Sequence, residues 1–261
     1  MTDLDLCYLP ATDAIKRFKE KTLSPVELLD ALIRRAEEIE PVINAFTYRH
    51  FDEAMDKAKK AEAKYASGKR TRALEGLPIG IKDENFIKGK PTSSGSLIMK
   101  DFVADRTSVG NERIMRAGGI VHARTATPEF SSAAYTNSRL WGVTHNPWNP
   151  EFTPGGSSGG SAASLAAGTS ALATGSDIGG SIRIPAGTCG LVGYKPPYGR
   201  NSDDPPFNLD FYCHTGPLAR NVSDAIALQN VMSGPHPQDI ASLRPKLRLP
   251  TDYPPIKDWK I

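Results

Sequence analysis

Glycine, serine and alanine dominate one stretch of the sequence, TPGGSSGGSAASLAAGTSALATGSDIGGSIRIPAGTCG, over residues 153–190. A serine hydroxyl is a weak nucleophile and needs a neighbouring base. Lysine serves as that base when burial keeps its amino group neutral. Lys82 directly follows an apolar run, in PIGIKDEN, where a lysine is costly unless it is used or paired. The pattern is compatible with two interpretations: serine catalysis with a lysine base, and an exposed loop in which Lys82 pairs with Asp83 or Glu84.

A second segment, SDIGGSIR, supplies groups that stabilise negative charge. Ile178, Gly179 and Gly180 precede Ser181, and two adjacent glycines let successive N–H groups point to one spot. Such an arrangement forms an oxyanion hole for a tetrahedral intermediate. A plain glycine turn before a strand is the alternative.

Other glycine-rich sites fit the stretch poorly. A phosphate-binding P-loop needs a lysine beside its second glycine, and no lysine lies between Pro154 and Leu191. The spacing of a dinucleotide loop is also missing. Residues 155–159, GGSSG, formally match a hydrolase elbow centred on Ser157, but only His214 and His236 follow as candidate partners. Leucine and isoleucine at core-like positions argue against a flexible linker.

The elements that position these residues alternate between helices and strands. Ser24, Pro25 and Glu27 predict a capped helix start, and residues 51–67 predict a second amphipathic helix. Later segments predict a buried strand before Lys82, then helix–strand pairs over residues 111–127 and 161–177. The sequence therefore predicts an α/β fold. We expect a helical segment over 1–70, a catalytic core over 71–234 and a proline-rich extended tail over 235–261, with at most a strand starting at its last residues.

Composition restricts the other function classes. The 32 basic and 29 acidic residues are mixed along the chain and give a net charge of +3, so we expect no direct nucleic-acid partner. No apolar run reaches about 18 residues and the first residues do not resemble a signal peptide, so we expect no membrane span. The three cysteines, Cys7, Cys189 and Cys213, are widely spaced and form no CxxC pair, so we expect neither a disulfide nor a metal site. Free cysteines are typical of a reducing compartment, so we expect a cytoplasmic location.

Three linked motifs resemble the amidase signature family. They are GLPIGIKD, PGGSSGGSAA and GSDIGGSIRIPAGTCGLVGYKPPYGR, in the family's order and spacing. The resemblance extends from Ser24 to the low 230s. It implies a mixed central β-sheet flanked by helices, amide hydrolysis without a cofactor, and a small-molecule amide substrate.

The resemblance also implies a role for each motif residue. Lys82 matches the base of the family's Ser–Ser–Lys triad, and Ser157 matches the middle serine, which in the family follows a cis peptide bond. Ser181 matches the acyl-forming nucleophile. Backbone N–H groups of Ile178, Gly179 and Gly180 match the oxyanion hole, Ser158 a supporting hydrogen-bond donor, and Asp177 and Arg183 orienting residues.

The sequence departs from the family in length and detail. The family's domain is longer, so we expect 1–261 to be one truncated amidase domain whose sheet is incomplete on its C-terminal side. It then needs its missing half or forms a homo-oligomer. Residues 131–142, SSAAYTNSRLWG, are bulkier than the Gly-Ser-Ser-Thr stretch associated with the tRNA-dependent amidotransferases of the family. We expect Tyr135 to narrow the pocket there, which favours a free amidase. The alternatives are the tRNA-dependent glutamyl amidotransferase component that releases ammonia from glutamine, and a non-catalytic fragment.

Overall fold

A mixed β-sheet forms the centre of the computed structural model, which describes residues 1–205 and 207–251. Elements are numbered in chain order. From one edge to the other, the strands are β1 (Phe46–Arg49), β3 (Ile120–Thr125), β2 (Pro78–Lys82), β6 (Leu172–Asp177), β8 (His214–Ala219) and β7 (Val192–Gly193). Strands β2, β3 and β6 run parallel, β1 pairs antiparallel with β3, and β8 pairs antiparallel with β6 and β7. The expected mixed α/β architecture is confirmed.

Helices pack around this sheet, and two very short strands, β4 (Asn137–Ser138) and β5 (Gly142–Val143), pair separately. The helices are α1 (Asp3–Cys7), α2 (Ala11–Glu20), α3 (Pro25–Ile43), α4 (Phe51–Ala66), α5 (Val109–Arg116), α6 (Gly159–Ala166), α7 (Arg183–Cys189) and α8 (Val222–Met232). Single 3₁₀ turns occur at Glu129–Ser131 and Phe207–Leu209. None of the helices in the described ranges combines the length and apolar character that a membrane crossing requires.

The predicted elements occur close to their expected positions. Helix α3 starts with the expected capping box, in which Ser24 Oγ accepts from the Glu27 N–H at 3.1 Å and the Glu27 carboxylate accepts from the Ser24 N–H at 2.7 Å. The first 70 residues are mostly helical, but they also contain β1, which the sequence did not indicate because four residues between two helices show little periodicity. Residues 235–251 contain no helix or strand. The strand start expected at the end of the tail falls in residues 252–261, outside the described residues.

Small side chains bring α6 against the sheet. All residues from Gly159 to Leu165 are buried, and a Cβ atom at Gly160 would lie 2.6 Å from the carbonyl oxygen of Ala45. Only glycine allows that approach. The glycine-rich stretch therefore contains a closely packed helix, α6, together with the segments that flank it. The N-terminal end of α6 therefore lies close to the ends of β2 and β6.

Candidate active site

Lys82 is the last residue of β2, and its side chain has no exposure to solvent. Its Nζ donates to Ser157 Oγ at 2.7 Å and to Ser176 Oγ at 2.8 Å. Burial lowers the pKa of Lys82 below the ordinary lysine value, against an opposing contribution from the nearby Glu84 carboxylate. The lysine does not lie in an exposed loop, although Glu84 Oε1 is 3.4 Å from Nζ.

Ser157 and Ser158, directly before α6, are hydrogen-bonded to residues at the ends of β2 and β6. The Gly156–Ser157 peptide bond is cis, as the resemblance implied. Ser158 donates its N–H to the Ser181 carbonyl oxygen at 3.1 Å. Its hydroxyl oxygen also accepts from the Ser176 N–H at 3.3 Å. Ser158 thus connects the turn that carries Ser181 to the end of β6.

Ser181 lies in the turn between β6 and α7, half-buried and facing a cavity that Ser157 and Ser176 also line. Within the described residues, no hydrogen bond joins its hydroxyl to that of Ser157. Catalytic hydrogen bonds are often long without a substrate and tighten when one binds. The structure therefore places Ser157 and Ser181 in the wall of one cavity, with Lys82 fully buried and hydrogen-bonded to Ser157.

The turn before Ser181 supplies backbone donors. In the described part of the chain, the N–H groups of Ile178 and Gly179 have no hydrogen-bond partner. The N–H of Gly180 differs from the expectation, because it donates to Asp177 Oδ1 at 2.7 Å. The φ angle of Gly180 is 129°, a conformation that favours glycine. Gly180 shapes the turn here while its donor is engaged elsewhere.

Asp177 organises this turn from the end of β6. Its carboxylate accepts from Arg183 Nε at 2.9 Å and Arg183 Nη2 at 3.0 Å, and from the Ile182 N–H at 3.1 Å. Burial alone would raise the pKa of Asp177, but these hydrogen bonds outweigh burial and the pKa lies below its usual range. Asp177 and Arg183 are thus hydrogen-bonded to each other beside the turn that carries Ser181, and their orienting role stays a prediction.

The cavity beside Ser181 has a volume of about 270 Å³. Its wall combines the serines with aromatic and acidic side chains, among them Phe86, Phe130, Phe207 and Asp203. Tyr135 is 57% exposed and is not among the lining residues, so the structure does not bring the predicted pocket residue to the site. Within residues 1–205 and 207–251, no cluster of His, Cys, Asp or Glu is arranged to hold a metal ion.

Two contacts of Lys82 do not follow from the motifs. Ser176 reaches the amino group from β6; it lies in the motif GSDIGGSIR, which was the available signal, but no role was assigned to it. Glu84 was indicated only as a possible partner of Lys82 in an exposed loop. Both contacts depend on how strands and loops meet in space, which motif spacing alone does not give.

Comparison with known proteins places this geometry in a family. The family model described as Amidase matches residues 27–257. The chain belongs to the amidase signature family. The A subunit of the glutamyl-tRNA(Gln) amidotransferase from Gloeothece citriformis (strain PCC 7424) is 40% identical over 248 residues, which are 93% of this chain and 51% of the relative.

Solved structures of amidase signature proteins share the fold. A bacterial aryl acylamidase of the family aligns with a TM-score of 0.87 and 33% identity, over 92% of this chain and 51% of the other. The A subunit of the glutamyl-tRNA(Gln) amidotransferase from Thermotoga maritima aligns with a TM-score of 0.78 and 28% identity, over 95% and 52% respectively. The chain spans about half the length of the relatives it matches.

Proposed function

We propose that this amidase signature chain carries the catalytic residues of a serine amidase, which hydrolyses a carboxamide C–N bond through an acyl-enzyme at Ser181. One observation carries the proposal: the fully buried amino group of Lys82 lies 2.7 Å from Ser157 Oγ, at the cavity that Ser181 also lines. A buried, neutral amine beside a hydroxyl is an arrangement that activates a serine nucleophile.

Acylation uses Ser157 as a proton relay. Neutral Lys82 accepts the Ser157 proton while Ser157 accepts the proton of Ser181, and Ser181 Oγ attacks the amide carbonyl carbon. The N–H groups of Ile178 and Gly179 stabilise the negative oxygen of the tetrahedral intermediate. The C–N bond then breaks, and the proton returns from the Lys82 ammonium through Ser157 to the leaving nitrogen.

Deacylation repeats the relay with water. The neutral amine of Lys82 accepts, through Ser157, a proton from a water molecule that attacks the ester carbonyl at Ser181. Collapse of the second intermediate breaks the bond to Ser181 Oγ, which takes the proton back. The products are a carboxylic acid and the free enzyme.

The substrate we propose is a small carboxamide or an aryl amide. A cavity of about 270 Å³ is at the small end of ligand sites, and Phe86, Phe130 and Phe207 give it an apolar wall. The apolar wall suits the acyl or aryl part of the substrate, while the serines and the free N–H groups face its amide group.

The second candidate function is ammonia release from glutamine within a tRNA-dependent amidotransferase. The 40% identity to the A subunit of a glutamyl-tRNA(Gln) amidotransferase favours it. Glutaminase activity that appears only with partner proteins would identify this function, whereas hydrolysis of simple amides by the unassisted protein supports a free amidase.

Additional polypeptide completes the site in this proposal. Apolar side chains beside the cavity are exposed, including Ile178 at 51%, Phe207 at 55% and Phe211 at 70%. We propose that residues 1–261 contribute to one amidase domain, and that polypeptide equivalent to the second half of its relatives covers this surface; a second copy of the chain is the alternative. The three cysteines are free, which fits the cytoplasmic location that we propose.

An acyl-enzyme trap tests the proposed function. The protein is mixed with an aryl amide or aryl ester, quenched in acid, and its mass and modified peptide are determined. We expect one acyl group on Ser181 in the wild type and none in Ser181→Ala. A folded protein that never acylates, with or without the covering polypeptide, would support the non-catalytic alternative and reject the proposal.

A further inference from the structure

Glu84 is an acidic residue beside the candidate base with no role in the relay just described. Its side chain is 17% exposed, and Oε1 is buried 3.4 Å from Lys82 Nζ, an ion-pair distance. A carboxylate at this distance favours the protonated form of an amine, whereas the burial of Lys82 favours the neutral form. Burial and the Glu84 carboxylate therefore shift the pKa of Lys82 in opposite directions.

The turn that follows β3 fixes the other oxygen of Glu84. Ser131 donates its hydroxyl to Glu84 Oε2 and also shares a 2.8 Å hydrogen bond with Thr127 Oγ1. Phe130 and Ser131 have φ angles of 48° and 57°, in the left-handed region that residues with side chains rarely adopt. Such backbone persists where its surroundings hold it and often lies at functional sites. The Glu84 carboxylate is thus held from one side while its other oxygen faces the lysine.

We propose that Glu84 is a positioning residue: held by Ser131, its carboxylate orients the Lys82 amino group toward Ser157 and stabilises the ammonium that forms when Ser181 is activated. This inference rests on the proposed function. In catalytic triads, a third group likewise orients the base and stabilises its charged form.

Other charged or titratable groups also face this pair. Asp177 and Cys213 lie near Lys82, and Asp203 and Arg124 lie near Glu84. Asp177 already accepts from Arg183 and from backbone N–H groups, and Arg124 pairs with Asp83 at 3.5 Å. Within the described residues, Glu84 is the carboxylate at ion-pair distance from Lys82 Nζ.

The test compares Glu84→Gln, Glu84→Asp and the wild type. Removing the negative charge makes the Lys82 ammonium less stable, so neutral lysine prevails at lower pH. We expect Glu84→Gln to move the acid limb of the pH–rate profile to lower pH by about one unit or more, with lower kcat and unchanged KM. Glu84→Asp retains the charge, so its acid limb should lie between those of the other two proteins.

A control variant separates charge from packing. Glu129 lies in the same turn as Ser131, and its Oε1 accepts from Ser96 Oγ at 2.7 Å. Glu129→Gln should leave the acid limb in place. Equal shifts in Glu84→Gln and Glu84→Asp, or no shift in Glu84→Gln, would overturn the positioning role.

A second readout does not depend on turnover. The ¹⁵N chemical shift of Lys82 Nζ, followed against pH, reports when the amine loses its proton. Glu84→Gln should lower that midpoint by about one unit or more, and an unchanged midpoint in a folded variant overturns the proposal. If the wild type never acylates while the midpoint still shifts, the proposed function fails but the Lys82–Glu84 coupling stands.

Discussion

Asp177 shows how one carboxylate supports the candidate nucleophile without touching the reaction. It accepts from Arg183 and from the N–H groups of Gly180 and Ile182, which flank Ser181 on either side. These contacts hold the backbone on both sides of Ser181 and shape the turn that carries the candidate oxyanion donors, the N–H groups of Ile178 and Gly179. They also keep the carboxylate ionised, because its pKa is below the usual range.

Replacing Asp177 by Asn should therefore reduce activity while the fold survives. The amide cannot accept from Arg183 and from both N–H groups at once, so the turn moves by a fraction of an ångström. We expect kcat/KM to fall about 100-fold, the usual cost of a small misplacement near reacting atoms. Steady-state amide hydrolysis measures the change, with the exposed Asp101→Asn as control. Equal activity of both variants would contradict an orienting role.

The sequence alone picks out candidate site residues where the chemistry restricts residue type. Lys82, Ser157 and Ser181 stand in recognisable motifs; in the structure Ser157 and Ser181 line one cavity, and Lys82 is hydrogen-bonded to Ser157. Ser176 lies inside the third motif and Glu84 directly follows the first, but neither had an assigned role, because their contacts with Lys82 arise where β6 and the loop after β2 meet. Tyr135 was expected in the pocket from its size alone, and size does not determine where a side chain points.

At the scale of elements, parallel strands place the site. The strands β2 and β6 pair in parallel, so Lys82 and Asp177 reach the same edge of the sheet. Ligands commonly bind at the carboxyl ends of parallel strands. Helix α6 brings Ser157 to this edge because its small residues allow close packing.

Gly160 tests the packing of α6. A Cβ atom at this position would clash with backbone atoms of Ala126, directly after β3, and with the carbonyl oxygen of Ala45, directly before β1, at 2.6 Å. Gly160→Ala should lower the free energy of unfolding by about 1–3 kcal/mol, as overpacking does in other cores. Gly187→Ala is the matched control in helix α7, where a Cβ meets open space, and it should be neutral or stabilising. Urea denaturation compares them; equal stabilities would refute the packing argument.

Protonation of His122, a residue of β3, makes the stability of the fold depend on pH. The ring is buried beside Phe46 and Phe51, and burial lowers its pKa from 6.5 to about 4. Between these values the unfolded chain binds a proton that the folded chain does not, so His122 lowers stability as the pH falls. The loss reaches about 3 kcal/mol near pH 4.

A comparison of His122→Gln with the wild type isolates this effect. Other titratable groups, such as Glu40, contribute equally to both proteins and cancel in the difference. We expect the variant to gain stability relative to the wild type as the pH falls from 7 to 4, measured by urea denaturation. A constant difference across that range would show that His122 does not titrate as its burial requires.

Long, strongly patterned elements were predictable, and short ones were not. Helix α3 begins with a capping box, and α3 and α4 both carry apolar stripes that local sequence determines. Strands β1 and β7 have four and two residues, and their pairing is decided by the sheet they join. The topology of the sheet therefore had to come from the structure.

At the scale of the whole molecule, the chain exposes apolar surface beside its site. Phe211 and Tyr212 are 70% and 71% exposed in the loop that leads to Cys213, a residue of the cavity wall. Large exposed apolar patches mark interaction surfaces. The chain spans about half the length of its relatives, and we propose that further polypeptide or a second copy covers this surface.

The 261-residue chain by itself should therefore associate with itself. Sedimentation velocity over a range of concentrations should show a rising average mass, since the exposed surface buries itself against another copy. The double variant Phe211→Ser, Tyr212→Ser should move that transition to higher concentration. A wild-type chain that stays monomeric throughout would contradict the proposed exposed interface.

The proposed relay is best tested by labelling with a fluorophosphonate probe, followed by peptide mass analysis. Wild type, Ser181→Ala, Ser157→Ala and Lys82→Ala are compared, each checked for folding by circular dichroism. We predict one adduct, on Ser181, that is lost in Ser181→Ala and slowed by a factor of about 100 or more without Lys82 or Ser157. Labelling of Ser181 at an undiminished rate in folded Lys82→Ala would contradict the Lys82–Ser157–Ser181 relay.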